Sequence, residues 1–315
     1  MPIQDAVIMV PQAFRGKRLD QALAELYPDY SRSRLQTWIK AGFITVNEQI
    51  CSQRNILQGG EEISIKIESE PAQTTNQKEP IPLDFIYMDS DIVVLNKPPG
   101  LVVHPGAGNP QHTLLNALLY HVPELEDLPR AGIVQRLDKD TSGIMIVARS
   151  LKAHTSLVKQ LQKRLITREY QALVQGVMTA GGTVDAPIGR HPVKRKRMAV
   201  VGSGKQAITH YKVIKKFSAH SHIQLRLESG RTHQIRVHMA HIKYPIVGDP
   251  VYGGRPKFQK DAIPELKDAL QHFPRQALHA SRLKIIHPSS GTELTWQAPL
   301  PDDINELLAL LKNNG

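Results

Sequence analysis

The stretch Ile133–Ala148, IVQRLDKDTSGIMIVA, sets Arg136, Asp138, Lys139, Asp140, Thr141, Ser142 and Gly143 between two apolar runs. Polar bends of this kind between strands commonly carry function, and what this one offers to chemistry is an ionised carboxylate among cations. The same residues also suit a plain turn, in which Asp138 or Asp140 caps and Thr141 and Ser142 bond their own backbone. A second charged group is the run Lys194, Arg195, Lys196 and Arg197 in GRHPVKRKRMAVVGSGKQ. It suits either a solvated loop or phosphate contacts, and the latter would make binding strongly salt dependent. GSGK lacks the spacing and the following Ser or Thr of a nucleotide-binding phosphate loop, so no nucleotide cofactor is implied. Tyr170 in REYQALVQG has the usual fate of a strand tyrosine open to it, a core aromatic with a bonded hydroxyl. His233, His238 and His241 do not share one narrow helix face and no carboxylate or cysteine repeats their pattern, so no metal site is expected.

At 315 residues the chain is long enough for one large domain and a small one. Its 41% hydrophobic and 22% charged residues are those of a soluble globular protein, and the net charge of +11 with a pI near 9.7 favours a polyanionic partner, most simply nucleic acid. The one cysteine, Cys51, allows no intrachain disulfide and fits a reducing compartment. The opening MPIQDAVIMVPQ has no basic segment leading into an apolar one, and no run approaches the roughly 20 apolar residues of a membrane span. The expected location is the cytoplasm, with no membrane partner.

Several elements must position these groups. Residues 1–16 read as a short lead and residues 17–68 as a compact unit. In that unit Leu19, Leu23 and Leu26 recur at helical spacing until Pro28 and Asp29, and SRSRLQTWIKAG places Leu35, Trp38 and Ile39 on one face of a second helix ending at Gly42. ITVN, a polar turn and EEISIKI suggest a small hairpin. Residues 69–80 have two prolines and no large apolar residue, so they read as a linker that lets the small domain move relative to the large one. Residues 81–315 form that larger domain. It opens with two apolar runs, IVVLNK and LVVHP, about a turn forced by Pro98, Pro99 and Gly100. Thr113 caps the helix LLNALLYH and Ser150 the helix LKAHTSLVKQLQKR. Thr232 is the expected cap of a helix burying Ile235, Met239 and Ile242, with Arg236 and His233 on another face. The polar stretch from Gly253 to Arg275 is uninformative; HASRLKIIHP and TELTWQAP read as closing strands and LPDDINELLALLKNN as a final helix.

The order and spacing of QRLDKDTSG resemble the active-site signature of the RluA-type pseudouridine synthases, in which His-Arg-Leu-Asp precedes Thr-Ser-Gly; Gln135 stands where the family usually has histidine. NKPPGLVVHPG, GRTHQIR and YPIVGDPVYG extend the likeness along the chain. Residues 17–68 resemble the alpha-L RNA-binding domain first known from a small-subunit ribosomal protein, which brings the whole closest to the RluD-like branch. The resemblance implies an α+β fold with a mixed, mostly antiparallel central sheet, flanking helices and a cleft across its middle, plus a small N-terminal α/β RNA-binding domain. It makes Asp138 the catalytic aspartate, Arg236 its ion-pair partner and Tyr170 the ring against the target base. Arg136, Arg231 and His233 then bind substrate at the pocket, with Lys194 to Arg197 on phosphates and Arg32, Arg34, Lys40 and Asn47 as RNA contacts of the small domain.

The implied reaction isomerises uridine to pseudouridine in RNA, most simply large-subunit ribosomal RNA, by a monomer. The bond from C1′ to N1 breaks, the uracil turns, and C1′ joins C5; nothing is oxidised or hydrolysed, so no cofactor or metal is required. One carboxylate must attack C1′ or remove a ribose proton, and an adjacent guanidinium would favour its charged form and fix its direction. A noncatalytic RNA- or ribosome-binding factor, a synthase acting on another RNA such as tRNA, and a base-releasing glycosidase are the competing readings. Release of free uracil would identify the last.

Overall fold

The computed structural model describes residues 5–27, 32–66, 77–106, 108–195, 197–259 and 261–314. The chain divides into two compact units, one ending at Thr75 and the other beginning at Asn76.

In the first unit β1 (Asp5–Met9), α1 (Leu19–Leu26), α2 (Arg32–Lys40), β2 (Ile44–Val46), β3 (Gln49–Ile50) and β4 (Glu62–Lys66) follow in order. The strands form an antiparallel sheet in the order β1-β4-β2-β3. Leu19, Leu23, Leu35, Trp38 and Ile39 pack on Ile44, Ile63 and Ile65 to make its core. Two expectations change. The lead holds a strand, because Ala6 and Ile8 alternate inward with Val7 and Met9 outward and give β4 a partner. The expected hairpin is accordingly part of a four-stranded sheet in which β4 lies between β1 and β2. Asp20, buried in α1, accepts from Arg18, Arg32 and Gln36 and so ties the two helices together.

The second unit contains β5 (Asp84–Met88), β6 (Ile92–Lys97), α3 (Leu114–His121), β7 (Ser142–Ala148), α4 (Leu151–Gln162), β8 (Thr167–Gln175), β9 (Gly182–Asp185), β10 (Ile188–Arg190) and β11 (Met198–Val200). It continues with β12 (Ile208–Lys216), β13 (His220–Leu227), α5 (Gln234–His241), α6 (Pro264–Gln271), β14 (Leu278–Ile286), β15 (Glu293–Gln297) and α7 (Asp302–Asn313). Among the described residues its main sheet runs β5-β6-β7-β14-β8-β13-β12-β9, with β15 also on β14. The pairings are antiparallel except β7 with β14. β6 and β7 are buried on both faces: Val93, Leu95, Met145 and Val147 pack with α3, while Ile92, Val94, Ile144 and Ile146 pack with Ala153 and Leu157 of α4. That is why their sequences are continuous apolar runs.

Thr113 and Ser150 cap α3 and α4 as expected, Thr113 in a reciprocal pair with Asn116. The second apolar run, from Leu101, is not a strand; Val102 makes only an isolated bridge to Thr113. Within the expected linker, residues 69–76 lie outside the described residues, but Gln77 and Glu79 bond Asn116 and His112 and belong to the second unit. The polar stretch after Gly253 contains α6, whose Leu266 and Leu270 share a core with Leu307 and Leu311 of α7. Among the described residues no helix is long and apolar enough to cross a membrane.

Candidate active site

The segment before β7 carries Asp138, and buried polar groups fasten it from several sides. Lys97 Nζ, fully buried, donates to the carbonyls of Pro98 (2.7 Å), Leu101 (2.9 Å) and Lys139 (2.9 Å). Burial pushes its ammonium down to about 7, yet three carbonyl acceptors use three N–H groups, which only the ammonium form provides. Arg275 Nη1 donates to the Asp140 carbonyl at 3.2 Å while its Nε and Nη2 fork onto Asp303, and Gln276 Nε2 donates to Thr141 Oγ1 at 3.0 Å. Ser142 Oγ lies 3.0 Å from His279 Nδ1. His279 Nε2 faces the Ala298 carbonyl, which can only accept, so Nδ1 is the acceptor from Ser142. The two hydroxyls thus bind distant elements instead of their own backbone.

Gly143 explains how two segments far apart in sequence meet. It pairs with Ala280 of β14, and Ala280 in turn pairs with Tyr170 of β8, so the start of β7 and the ring of Tyr170 are separated by one slim strand. A Cβ on Gly143 would lie 2.2 Å from the Ala280 carbonyl oxygen, and the glycine has φ +115°. Only glycine allows that approach.

Arg236 of α5 closes the arrangement. Its Nη1 donates to Asp138 Oδ2 at 2.9 Å, while Nε and Nη2 donate to the two oxygens of Asp249 at 2.7 and 2.9 Å. Asp249 also accepts from the backbone N–H groups of Val251 (2.8 Å) and Tyr252 (3.0 Å). Burial alone would raise the Asp249 carboxyl; the bonds and charge of Arg236 outweigh it and hold the group below its ordinary value. The same two aspartates raise Arg236 against the opposing effect of its burial. The Tyr252 ring lies 5.2 Å from the guanidinium, and its hydroxyl meets His233 Nδ1 at 2.9 Å and accepts from Met198 N–H at 3.0 Å. His233 Nε2 stands 3.9 Å from Asp138 Oδ1, beyond a hydrogen bond, and burial first of all lowers this imidazole's pKa.

The expected start of α5 at Thr232 is corrected. His233, in left-handed backbone with φ 55°, is the N-terminal flanking residue and its side chain makes no cap. Gln234 replaces the cap: its Oε1 accepts from Arg231 N–H and Ser229 Oγ, and its Nε2 donates to Ile208 O and Thr209 Oγ1. Nor is Arg236 on an open face, for α5 is buried from Gln234 to Met239. His238 spends Nδ1 on Thr209 Oγ1 and Nε2 on the Ala186 carbonyl.

Asp138, Tyr170 and Arg236 line one cleft of about 860 Å³. The Asp138 side chain keeps 17% of its surface exposed, whereas Arg236 is 5% and Tyr170 7% exposed. Burial raises the Tyr170 phenol above its ordinary value, so it meets the cleft uncharged. Gln135, Arg136, Arg231 and His233 line the same cleft. Three cations that sequence reasoning missed, Arg130, Arg164 and Arg168, do so too. The basic run is elsewhere: exposed Lys194 and Arg195, with half-buried Arg197, form the turn between β10 and β11, and Lys196 lies outside the described residues. In the first unit Arg32 is bound to Asp20, and Asn47 Oδ1 accepts from Glu62 N–H at a turn. Lys40 is exposed at the end of α2; Arg34 lies on that helix, its side chain outside the described residues.

A family model described as RNA pseudouridylate synthase matches residues 91–241, which include Asp138, Tyr170 and Arg236, and a model of the S4 domain matches residues 17–63. The chain belongs to the RNA pseudouridylate synthase family, with an S4 domain ahead of the family's own domain. Ribosomal large subunit pseudouridine synthase D of Escherichia coli strain K12 is 55% identical over 94% of this chain and 91% of its own length. The protein of that name from Pseudomonas aeruginosa is 53% identical over 97% and 95%. Among solved structures, human RNA pseudouridylate synthase domain containing 4 superposes with a TM-score of 0.58 at 25% identity, over 73% of this chain and 93% of its own. The expected mixed, mostly antiparallel fold is therefore the fold found.

Proposed function

We propose that the protein isomerises uridine to pseudouridine in large-subunit ribosomal RNA, with Asp138 as the catalytic carboxylate. The observation that carries this is the 2.9 Å bond from Arg236 Nη1 to Asp138 Oδ2 at the wall of a cleft shared with Tyr170. The relatives' names supply the RNA, and the +11 net charge suits it.

A uridine must leave its stack to reach Asp138, and the Tyr170 ring is placed to replace the lost stacking. Arg236, fixed by Asp249, aims the carboxylate at the ribose. The C1′–N1 bond breaks, the uracil turns with C5 toward C1′, the new bond forms, and the proton leaves C5 while N1 gains one. Asp138 serves by attack at C1′ or by taking a ribose proton; both use the same oxygen that faces the cleft. Arg136, Arg231 and His233 contact the RNA around the flipped nucleotide. The S4 domain, with Arg34 and Lys40 on α2, and the run Lys194 to Arg197 hold more distant phosphates; Arg32 and Asn47 support that surface through their bonds to Asp20 and Glu62. The site is built from one chain, which fits a monomer working in the cytoplasm.

The test is Asp138→Asn on purified protein with unmodified ribosomal RNA, mapped by carbodiimide reactivity because the product is an isomer of equal mass. RNA binding should persist and isomerisation should vanish. Substantial turnover by the variant removes Asp138 from the mechanism, and free uracil would turn the reading to a glycosidase.

A further inference from the structure

The outer face of α4 is a stripe of one sign of charge. Ala153 and Leu157 bury the opposite side against the sheet, while Lys152, Lys159 and Lys163, spaced by seven and four residues, stand exposed in one row. The row is about 16 Å long at the helical rise. Thr155 and Ser156 lie between the lysines, and with Leu165 and Pro288 they line a shallow hollow of about 600 Å³. Exposed lysines on a helix are ordinarily interleaved with acidic partners. Here Leu151–Leu165 contains no Asp or Glu, and among the described residues none of the three lysines is in an ion pair; Lys152 Nζ reaches only Ser289 Oγ, at 3.3 Å. Lys159 and Lys163, one turn apart, repel each other unless an anion lies over them.

The stripe also continues from the cleft. Leu161 and Gln162 of α4, and Arg164 just after it, line the hollow that holds Asp138, so the row of lysines begins where that wall ends. We propose that this face of α4 is a second RNA-docking surface, which takes the phosphate backbone adjoining the target uridine as it leaves the cleft. The inference rests on the proposed function for the identity of the polyanion, and it adds the path by which that RNA crosses the protein.

The test is Lys152→Gln/Lys159→Gln/Lys163→Gln in the full chain, with transcribed large-subunit ribosomal RNA and with a short fragment carrying only the modified uridine and its immediate neighbours. For the long RNA, KM should rise about tenfold at unchanged kcat, and the slope of log affinity against log salt should shrink by about two to three, one per phosphate released. Kinetics on the short fragment should not change. Circular dichroism checks the fold, and Lys159→Gln alone, the mildest variant, should reduce the slope by about one. An unaltered slope and KM on the long RNA overturn the proposal, as does an equal loss on the short fragment. So does a variant that keeps its RNA affinity but loses a ribosomal protein partner. If the native protein isomerises nothing, the proposed function fails, but the salt slope needs no turnover and still decides the docking surface.

Discussion

Asp249→Asn isolates the group that aims Arg236 without touching Asp138. The native carboxylate accepts four N–H groups: Arg236 Nε on Oδ2, and Arg236 Nη2, Val251 N and Tyr252 N on Oδ1. An asparagine that keeps its oxygen for the last three must turn its NH2 toward Arg236 Nε–H, so donor faces donor in a site where Arg236 is 5% exposed. Breaking one side of a buried pair costs about 3–5 kcal/mol, and the bonds asparagine retains bring the expectation to the low end, about 3 kcal/mol. The guanidinium, then held by Asp138 alone, loses its fixed plane, and a displacement near 1 Å at a catalytic group costs about a hundredfold in rate. Urea unfolding gives the stability change. Single-turnover isomerisation with enzyme in excess, under conditions where both proteins are folded, gives the rate without product release. A folded variant with the native single-turnover rate would refute the claim that Asp249 sets the direction of Arg236.

Buried groups outside that pair lead to two more expected outcomes. Lys97→Met removes the donor from three carbonyls at once, and at about 1–3 kcal/mol for each lost partner the urea midpoint should fall by the equivalent of at least about 3 kcal/mol. A loss below about 1 kcal/mol would show that the carbonyls find other donors. Burial holds His220 and His279 down to about 4 in the fold against an ordinary 6.5. Between those values the unfolded chain binds protons that the folded chain does not, so stability should fall as pH drops from about 6.5 toward 4, by up to about 3 kcal/mol per histidine. Urea midpoints measured across that interval check this, and His279→Gln should flatten the dependence; an unchanged profile would discount His279.

What could be read from the sequence was what local chemistry decides. Thr113 and Ser150 cap their helices because each precedes an amphipathic run, and the apolar runs at β6 and β7 are strands because both of their faces are covered. The aspartate motif stands out because its residue types and spacing are rare in a turn. Asp249 lies within YPIVGDPVYG but has no legible role there, since an aspartate between glycine and proline reads as a turn until Arg236 is brought beside it. β1 escapes sequence reasoning because a short alternating strand has meaning only once β4 is placed alongside. α6 escapes it for a related reason, its two buried leucines being partners of a helix far along the chain. At α5 the error is one of local rule: a hydroxyl before the helix suggests a cap, but the left-handed backbone at His233 hands that task to Gln234.

The place of β14, between β7 and β8, has a consequence for the order of events during synthesis. Asp138 and Tyr170 are both made well before residues 278–286, yet the strand that spaces them is among the last segments to leave the ribosome. Pairings of such wide sequence separation form late, because chain closure must precede any gain from them. A growing polypeptide therefore carries both halves of its reactive centre apart, and only a nearly finished molecule can act on the RNA of the machine that is making it.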